Sequence, residues 1–147
     1  MGDKLEIRYK KLHKDAKVPL HGSDRAAGYD LYARTEVEIA PSETELIPTG
    51  IALELPEGYF AMLAPRGSLA IKKNLDMPHS VGIMDEDYVG EYFVPLRNLG
   101  KKPFKIDKHE RIAQLIVLPF QLVEFVQVNE LKQTKRGEGR FASTGKK

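Results

Sequence analysis

Ile51-Ala52-Leu53-Glu54-Leu55-Pro56-Glu57-Gly58-Tyr59-Phe60-Ala61-Met62-Leu63 reads as an extended run, a turn and a second extended run. Successive side chains of a strand point to opposite faces, so Ile51, Leu53 and Leu55 share one apolar face. Pro56-Glu57-Gly58 interrupts the pattern with turn chemistry, and Tyr59 to Leu63 resumes it. The same grammar extends outward in both directions. Thr35-Glu36-Val37-Glu38-Ile39 alternates polar and apolar, and Glu91 to Leu96, Arg111 to Leu118 and Leu122 to Val128 are β-rich. Pro41-Ser42, Pro48-Thr49-Gly50 and Asn98-Leu99-Gly100 supply turn signals between them. Short strands with frequent Gly and Pro punctuation predict an all-β barrel or jelly roll. One brief helix is expected, Leu69-Ala70-Ile71-Lys72-Lys73, directly after Gly67-Ser68.

Composition bounds the rest. At 147 residues, 41% hydrophobic and 30% charged, the chain fits one domain, 1–147, with a body over about 1–130 and a flexible C-terminal tail over about 131–147. With no cysteine, disulfides, thiolate metal sites and cysteine nucleophiles are excluded, and the four histidines lack zinc-ligand spacing. Any metal would be held by oxygen. No apolar run of membrane-spanning length and no signal-peptide pattern occurs, so a cytoplasmic protein without a membrane partner is expected. A net charge of +2 argues against a nucleic-acid partner and for a small anionic ligand.

Several segments carry candidate chemistry. Arg136-Gly137-Glu138-Gly139-Arg140-Phe141-Ala142-Ser143-Thr144-Gly145 concentrates glycines, cations, hydroxyls and one aromatic. Glycine admits main-chain N–H groups close to an anion, arginine grips phosphate in a fork, and Phe141 offers a flat face to a ring. The segment is either a lid over a nucleotide or a terminus without function. Ala64-Pro65-Arg66-Gly67-Ser68-Leu69-Ala70 sets an arginine and a hydroxyl at the helix start, where Ser68 serves either an anion or as an ordinary N-cap. Ser80 to Gly90 reads as a hairpin with an acidic turn, Asp85-Glu86-Asp87, able to position a water or simply to solvate the turn. Gln114 interrupts the apolar face of Ile112, Ile116 and Leu118, and a polar amide there either bonds a neighbouring strand or loop or lines a ligand site. In Asp24 to Tyr32, Gly28 permits close backbone approach and Asp30 can help hold a hydrated cation.

Taken together and in this order, Ala26 to Leu31, Pro65 to Ala70, Gly82 to Gly90, Arg111 to Ile116 and Arg136 to Gly145 closely resemble the trimeric dUTPase family. The resemblance implies a distorted jelly-roll subunit and a homotrimer whose sites are shared between subunits. It implies a hydrolase of nucleotide metabolism that uses Mg²⁺ to cleave dUTP to dUMP and pyrophosphate by water attack at the α-phosphorus. That reaction limits uracil incorporation into DNA and supplies dUMP for dTMP synthesis. By this similarity Asp85 orients and deprotonates the water, and Asp30 meets Mg²⁺ through water. Arg66, Gly67, Ser68, Gln114, Arg136, Ser143 and Thr144 bind the phosphates. Gly82, Ile83 and Met84 present backbone to uracil, His79 stands at a base contact, Tyr88 lies under deoxyribose and Phe141 covers the base.

The chain departs from the family pattern in four places. Arg66-Gly67-Ser68-Leu69 stands where the family writes Arg-Ser-Gly-Leu, so the hydroxyl has moved one position along the loop. His79 stands where asparagine is common, His109 where a loop glycine is common, and Arg140 and Ala142 where the tail has glycines. Two alternatives follow: a dCTP deaminase-type or bifunctional enzyme of the same fold, and a dUTP-binding regulatory protein with weakened catalysis.

Overall fold

The structure is a computed structural model that describes residues 4–140. Its strands are β1 (Arg8–Lys11), β2 (Leu20–His21), β3 (Tyr29–Tyr32), β4 (Val37–Ile39), β5 (Thr44–Glu54) and β6 (Tyr59–Ala64). After the helix α1 (Gly67–Lys73) come β7 (Leu75–Asp76), β8 (Gly82–Met84), β9 (Glu91–Asn98), β10 (Phe104–Ile106) and β11 (Arg111–Pro119). They form a four-stranded sheet ordered β1-β5-β9-β7, a five-stranded sheet ordered β2-β3-β11-β6-β8 and a pair β10-β4. The expected mostly-β chain with one short helix is therefore found.

One core lies behind both large sheets. Ile47, Ile51 and Leu53 of β5 and Tyr92, Val94 and Leu96 of β9 cluster with Leu31 of β3, Ala61 and Leu63 of β6 and Leu115 of β11. Burying such side chains removes apolar area from water and supplies the main drive to fold. The face predicted from Ile51, Leu53 and Leu55 is buried throughout. The turn at Pro56–Gly58 then carries the chain from one sheet to the other, since β5 pairs with β1 and β9 while β6 pairs with β11 and β8.

Four local expectations are corrected. Pro48-Thr49-Gly50 is an irregularity inside β5, where the register against β9 shifts between Pro48 and Ala52. Gly50 has φ of +71° there, and a Cβ on it would come within 2.8 Å of the Arg34 side chain and 2.9 Å of Ala16. Ser80 to Gly90 is not a hairpin: β8 pairs with β6 and β9 with β5 and β7, so the acidic turn links two sheets. In β11 the register shifts between Arg111 and Ala113, and both Ile112 and Ala113 are buried. That bulge moves the core face onto Ala113, Leu115 and Val117 and puts Gln114 on the opposite face, with Ile116 and Leu118. Finally, Leu122 to Val128 forms no strand; Leu122, Val123, Phe125 and Val126 are all exposed, Phe125 at 95%. A strand needs a partner, and no strand of the described chain pairs with this run.

The helix spans two residues more than expected and starts differently. Arg66 occupies the N-cap with no side-chain cap bond, so Ser68 lies in the first turn and is not the cap. Asn74, in the left-handed region at φ 53°, ends the helix.

Candidate active site

Strand register assembles a cation-rich cleft. Gln114 of β11 pairs with Asp30 of β3 on one side and with Ala64 of β6 on the other, which sets these residues in one row across the sheet. Directly opposed residues project to the same face. Gln114 donates from Nε2 to the Pro65 carbonyl at 3.3 Å. Gly28 lies so close that a Cβ there would meet Gln114 Oε1 at 2.4 Å. The amide that interrupts the sequence pattern is thus held by a loop and also lines a cleft.

That cleft, about 370 Å³, is lined by Gly22, Ala26, Gly28, Asp30, Arg66, Gly67, Ser68, Arg111 and Gln114. Asp30 is its electrostatic centre. One carboxylate oxygen meets Arg66 Nε at 3.0 Å and the other meets Arg111 Nη1 at 3.2 Å, while the Asp30 side chain is only 13% exposed. Two guanidinium groups against one carboxylate leave the cleft with an excess positive charge, which favours an anion. Arg111 was not singled out from the sequence as a site residue. Its signal was its place at the head of the Arg111 to Ile116 segment, but only the pairing with Asp30 brings it to the cleft. The changed loop is unstrained: neither Gly67 nor Ser68 has positive φ, and a side chain at Gly67 would meet open space.

A second groove, about 560 Å³, surrounds the acidic turn and is lined by Phe60, Ile83, Asp85, Glu86, Asp87, Phe120 and Leu122. Asp85 follows β8, the edge strand of its sheet. An edge strand has one row of N–H and C=O groups unpaired by its own sheet. Gly82 is buried, and a Cβ on it would lie 3.2 Å from both His79 Nε2 and Leu63 Cβ, so its lack of a side chain admits the His79 ring beside β8. Met84 packs against the core and Ile83 faces out.

Tyr88 is fixed on three sides. Its hydroxyl donates to the Glu91 carbonyl at 2.8 Å, its ring lies 6.0 Å from the Tyr92 ring, and a Cβ on Gly90 would strike it at 2.6 Å. Tyr92 itself is fully buried and its hydroxyl has no partner among the described residues. Burial, with Tyr88 adding to it, pushes the Tyr92 phenol up to about 12.

The expected residues thus fall into two groups within one chain. Asp30, Arg66, Gly67, Ser68 and Gln114 share the cationic cleft; Asp85 and Ile83 line the acidic groove, with Gly82, Met84, His79 and Tyr88 on the same stretch of chain. No residue lines both. Arg136 sits in a turn of its own, Nε donating to the Gly139 carbonyl at 3.1 Å. Phe141, Ser143 and Thr144 lie outside the described residues.

Among the described residues no group of three or more His, Asp or Glu side chains could hold a metal ion. A small hard cation such as Mg²⁺ keeps several waters and is held chiefly by ligand oxygens. Asp30 fits that arrangement only as an outer partner: each of its oxygens already faces one arginine, and a carboxylate offers about four acceptor positions in all.

A sequence model of the dUTPase family matches residues 14–145. A deoxyuridine 5'-triphosphate nucleotidohydrolase of Hydrogenobaculum is 45% identical over 144 residues, covering 97% of this chain and all of its own. The human mitochondrial protein of the same name is 42% identical over 142 residues, covering 97% of this chain and 56% of its own. Among solved structures, a dUTPase of Staphylococcus bacteriophage 80alpha with dUpNHpp superposes with a TM-score of 0.87 at 28% identity, covering 95% of this chain and 98% of that one.

Proposed function

The chain belongs to the dUTPase family and is a dUTP diphosphatase, and from that premise we propose how its residues divide the reaction. The cationic cleft takes the triphosphate. Arg66 and Arg111 offer charge, Ser68 a hydroxyl and Gln114 an amide beside it. The observation that supports this assignment is the Asp30–Gln114–Ala64 row, which brings β3, β11 and the end of β6 that leads into Arg66 around one cleft. Charge developing on the departing pyrophosphate is stabilised by donors already fixed in place.

Asp85 orients the attacking water and accepts its proton, in line with the bond from the α-phosphorus to the leaving oxygen. The free edge of β8 from Gly82 to Met84 reads the acceptor-donor-acceptor edge of uracil, with His79 beside it. Cytosine reverses part of that pattern and leaves buried groups unpaired. Tyr88, held by Glu91, Gly90 and Tyr92, packs under deoxyribose and excludes a 2′-hydroxyl. Arg136, Phe141, Ser143 and Thr144 complete the set of substrate-binding residues. Mg²⁺ bound with the triphosphate would supply charge neutralisation, and Asp30 is the residue that would hold it, through water.

We further propose that the two sheets form a distorted jelly roll and that the protein works as a homotrimer. Asp85 and the phosphate cleft lie in different depressions of one chain, which supports a site completed between subunits. The exposed apolar run Leu122 to Leu131 supports burial against another copy.

Pyrophosphate release across nucleoside triphosphates tests the assignment. With Mg²⁺ we expect turnover of dUTP and much poorer turnover of dTTP, dCTP and UTP, and ammonia release from dCTP would overturn the specificity. Asp85→Asn should lower kcat by at least about a hundredfold, the usual range for a lost general base. A variant at the parental rate would remove Asp85 from the mechanism.

A further inference from the structure

The turn that carries Asp85 lacks the support its sequence suggests. A hairpin would hold it by cross-strand bonds on both sides, but β8 and β9 belong to different sheets. Within the turn, Tyr88 N–H donates to the Asp85 carbonyl at 3.1 Å. A further anchor reaches beyond this stretch of chain: Glu86 Oε2 accepts the Gly58 N–H at 2.8 Å, tying the acidic turn to the turn between β5 and β6. Glu86 is partly buried, whereas Asp85 and Asp87 on either side are exposed. Three adjacent carboxylates therefore have different surroundings, and among the described residues only Glu86 of the three bonds the protein's own backbone.

Gly58 is equipped for this contact. Its φ is +79°, a backbone that favours glycine, and a Cβ there would meet no atom within 4 Å. The same residue accepts the Phe120 N–H at 2.9 Å, where the chain leaves β11 for its C-terminal segment. Phe120 also packs edge-on against Phe60, with ring centroids 6.4 Å apart, and both line the groove that contains Asp85. Gly58, through its N–H and its carbonyl, thus joins the acidic turn to the root of the C-terminal segment.

We infer that Glu86 is a positioning residue that fixes the Asp85 carboxylate through the Gly58 N–H. This rests on Asp85 being the group that activates water. A carboxylate must be placed within a fraction of an ångström to act in line, and an error of about 1 Å can cost on the order of a hundredfold in rate. A hydrogen bond from a neighbouring turn supplies that constraint; a solvated Glu86 would not.

The test compares Glu86→Ala and Glu86→Gln with the parent in steady-state dUTP hydrolysis, with thermal unfolding alongside. Glu86→Ala should lower kcat by about tenfold to a hundredfold while KM stays within about threefold, because the phosphate and base contacts are untouched. Glu86→Gln, whose amide oxygen still accepts the Gly58 N–H, should restore most of the rate. Gly58→Ala, strained at positive φ, should reproduce the loss of kcat and covers the case in which Glu86→Ala does not fold. A Glu86→Ala variant with parental kcat, or Gln failing as badly as Ala, overturns the inference. If Asp85→Asn abolishes turnover while Glu86→Ala leaves it unchanged, the tether alone fails. If Asp85→Asn is fully active, the underlying assignment of the base fails instead.

Discussion

His109 shows how one residue accommodates a change of sequence. It stands where the family commonly has a loop glycine, and it adopts the conformation a glycine would, φ 66°. Such a backbone costs a non-glycine residue on the order of 1–3 kcal/mol. The imidazole supplies a tie a glycine cannot: Nε2 bonds the Asp15 carbonyl at 2.8 Å while the main-chain N–H donates to Ala33 at 2.7 Å. His109→Gly loses the tie and relieves the strain, whereas His109→Ala loses the tie and keeps the strain. Denaturant unfolding should therefore find His109→Ala less stable than His109→Gly by about 1 kcal/mol. Tyr92 makes a second prediction. Its phenol is raised to about 12 by burial, so the unfolded chain, ionising near the ordinary value of about 10, gives up the proton first. The stability this group contributes is intact below pH 10 and is lost as pH rises toward 12, a change on the order of 2–3 kcal/mol. Tyr92→Phe should lack that extra loss and, having no unpartnered hydroxyl to bury, should be no less stable than the parent at pH 7.

Elements were legible in the sequence where burial follows a strict period and illegible where a bulge breaks it. β6, β9 and β11 begin and end within two residues of their apolar runs, and α1 begins two residues early. Pro48-Thr49-Gly50 carries turn residues yet remains inside β5, because Thr49 Oγ1 donates to the Tyr92 carbonyl at 2.6 Å and Glu91 Oε1 accepts the Gly50 N–H at 2.8 Å. Those bonds to β9 hold the irregular stretch in the sheet. Gly50→Ala combines positive φ with close approach to Arg34 and Ala16, and should destabilise the fold by about 2–4 kcal/mol in denaturant unfolding. A change below about 0.5 kcal/mol would mean that the bulge relaxes freely. The β11 bulge had the larger consequence for function. By shifting the core face it set Gln114 apart from the buried residues and among those that line the cationic cleft.

For the whole molecule, the separation of Asp85 from the Arg66 cleft makes a prediction that needs no structure of the assembly. If sites are shared between subunits, inactive Asp85→Asn and inactive Arg66→Ala chains should complement when refolded together. Random mixing in equal amounts pairs an intact Asp85 with an intact Arg66 at about a quarter of the sites, so activity should recover to about a quarter of the parental value. Recovery of none would place both residues in one subunit's site. The sequence by itself determined the mostly-β class, the short helix, the absence of thiol chemistry and the family, because alternation, punctuation and residue type are local properties of the chain. Only the tertiary structure decided which strands pair, that the acidic turn joins two sheets, that Arg111 reaches Asp30, and that Glu86 bonds the Gly58 backbone while Asp85 is exposed. Those are contacts between residues distant in sequence, fixed by the burial of whole faces and by backbone hydrogen bonds whose partners no local pattern names.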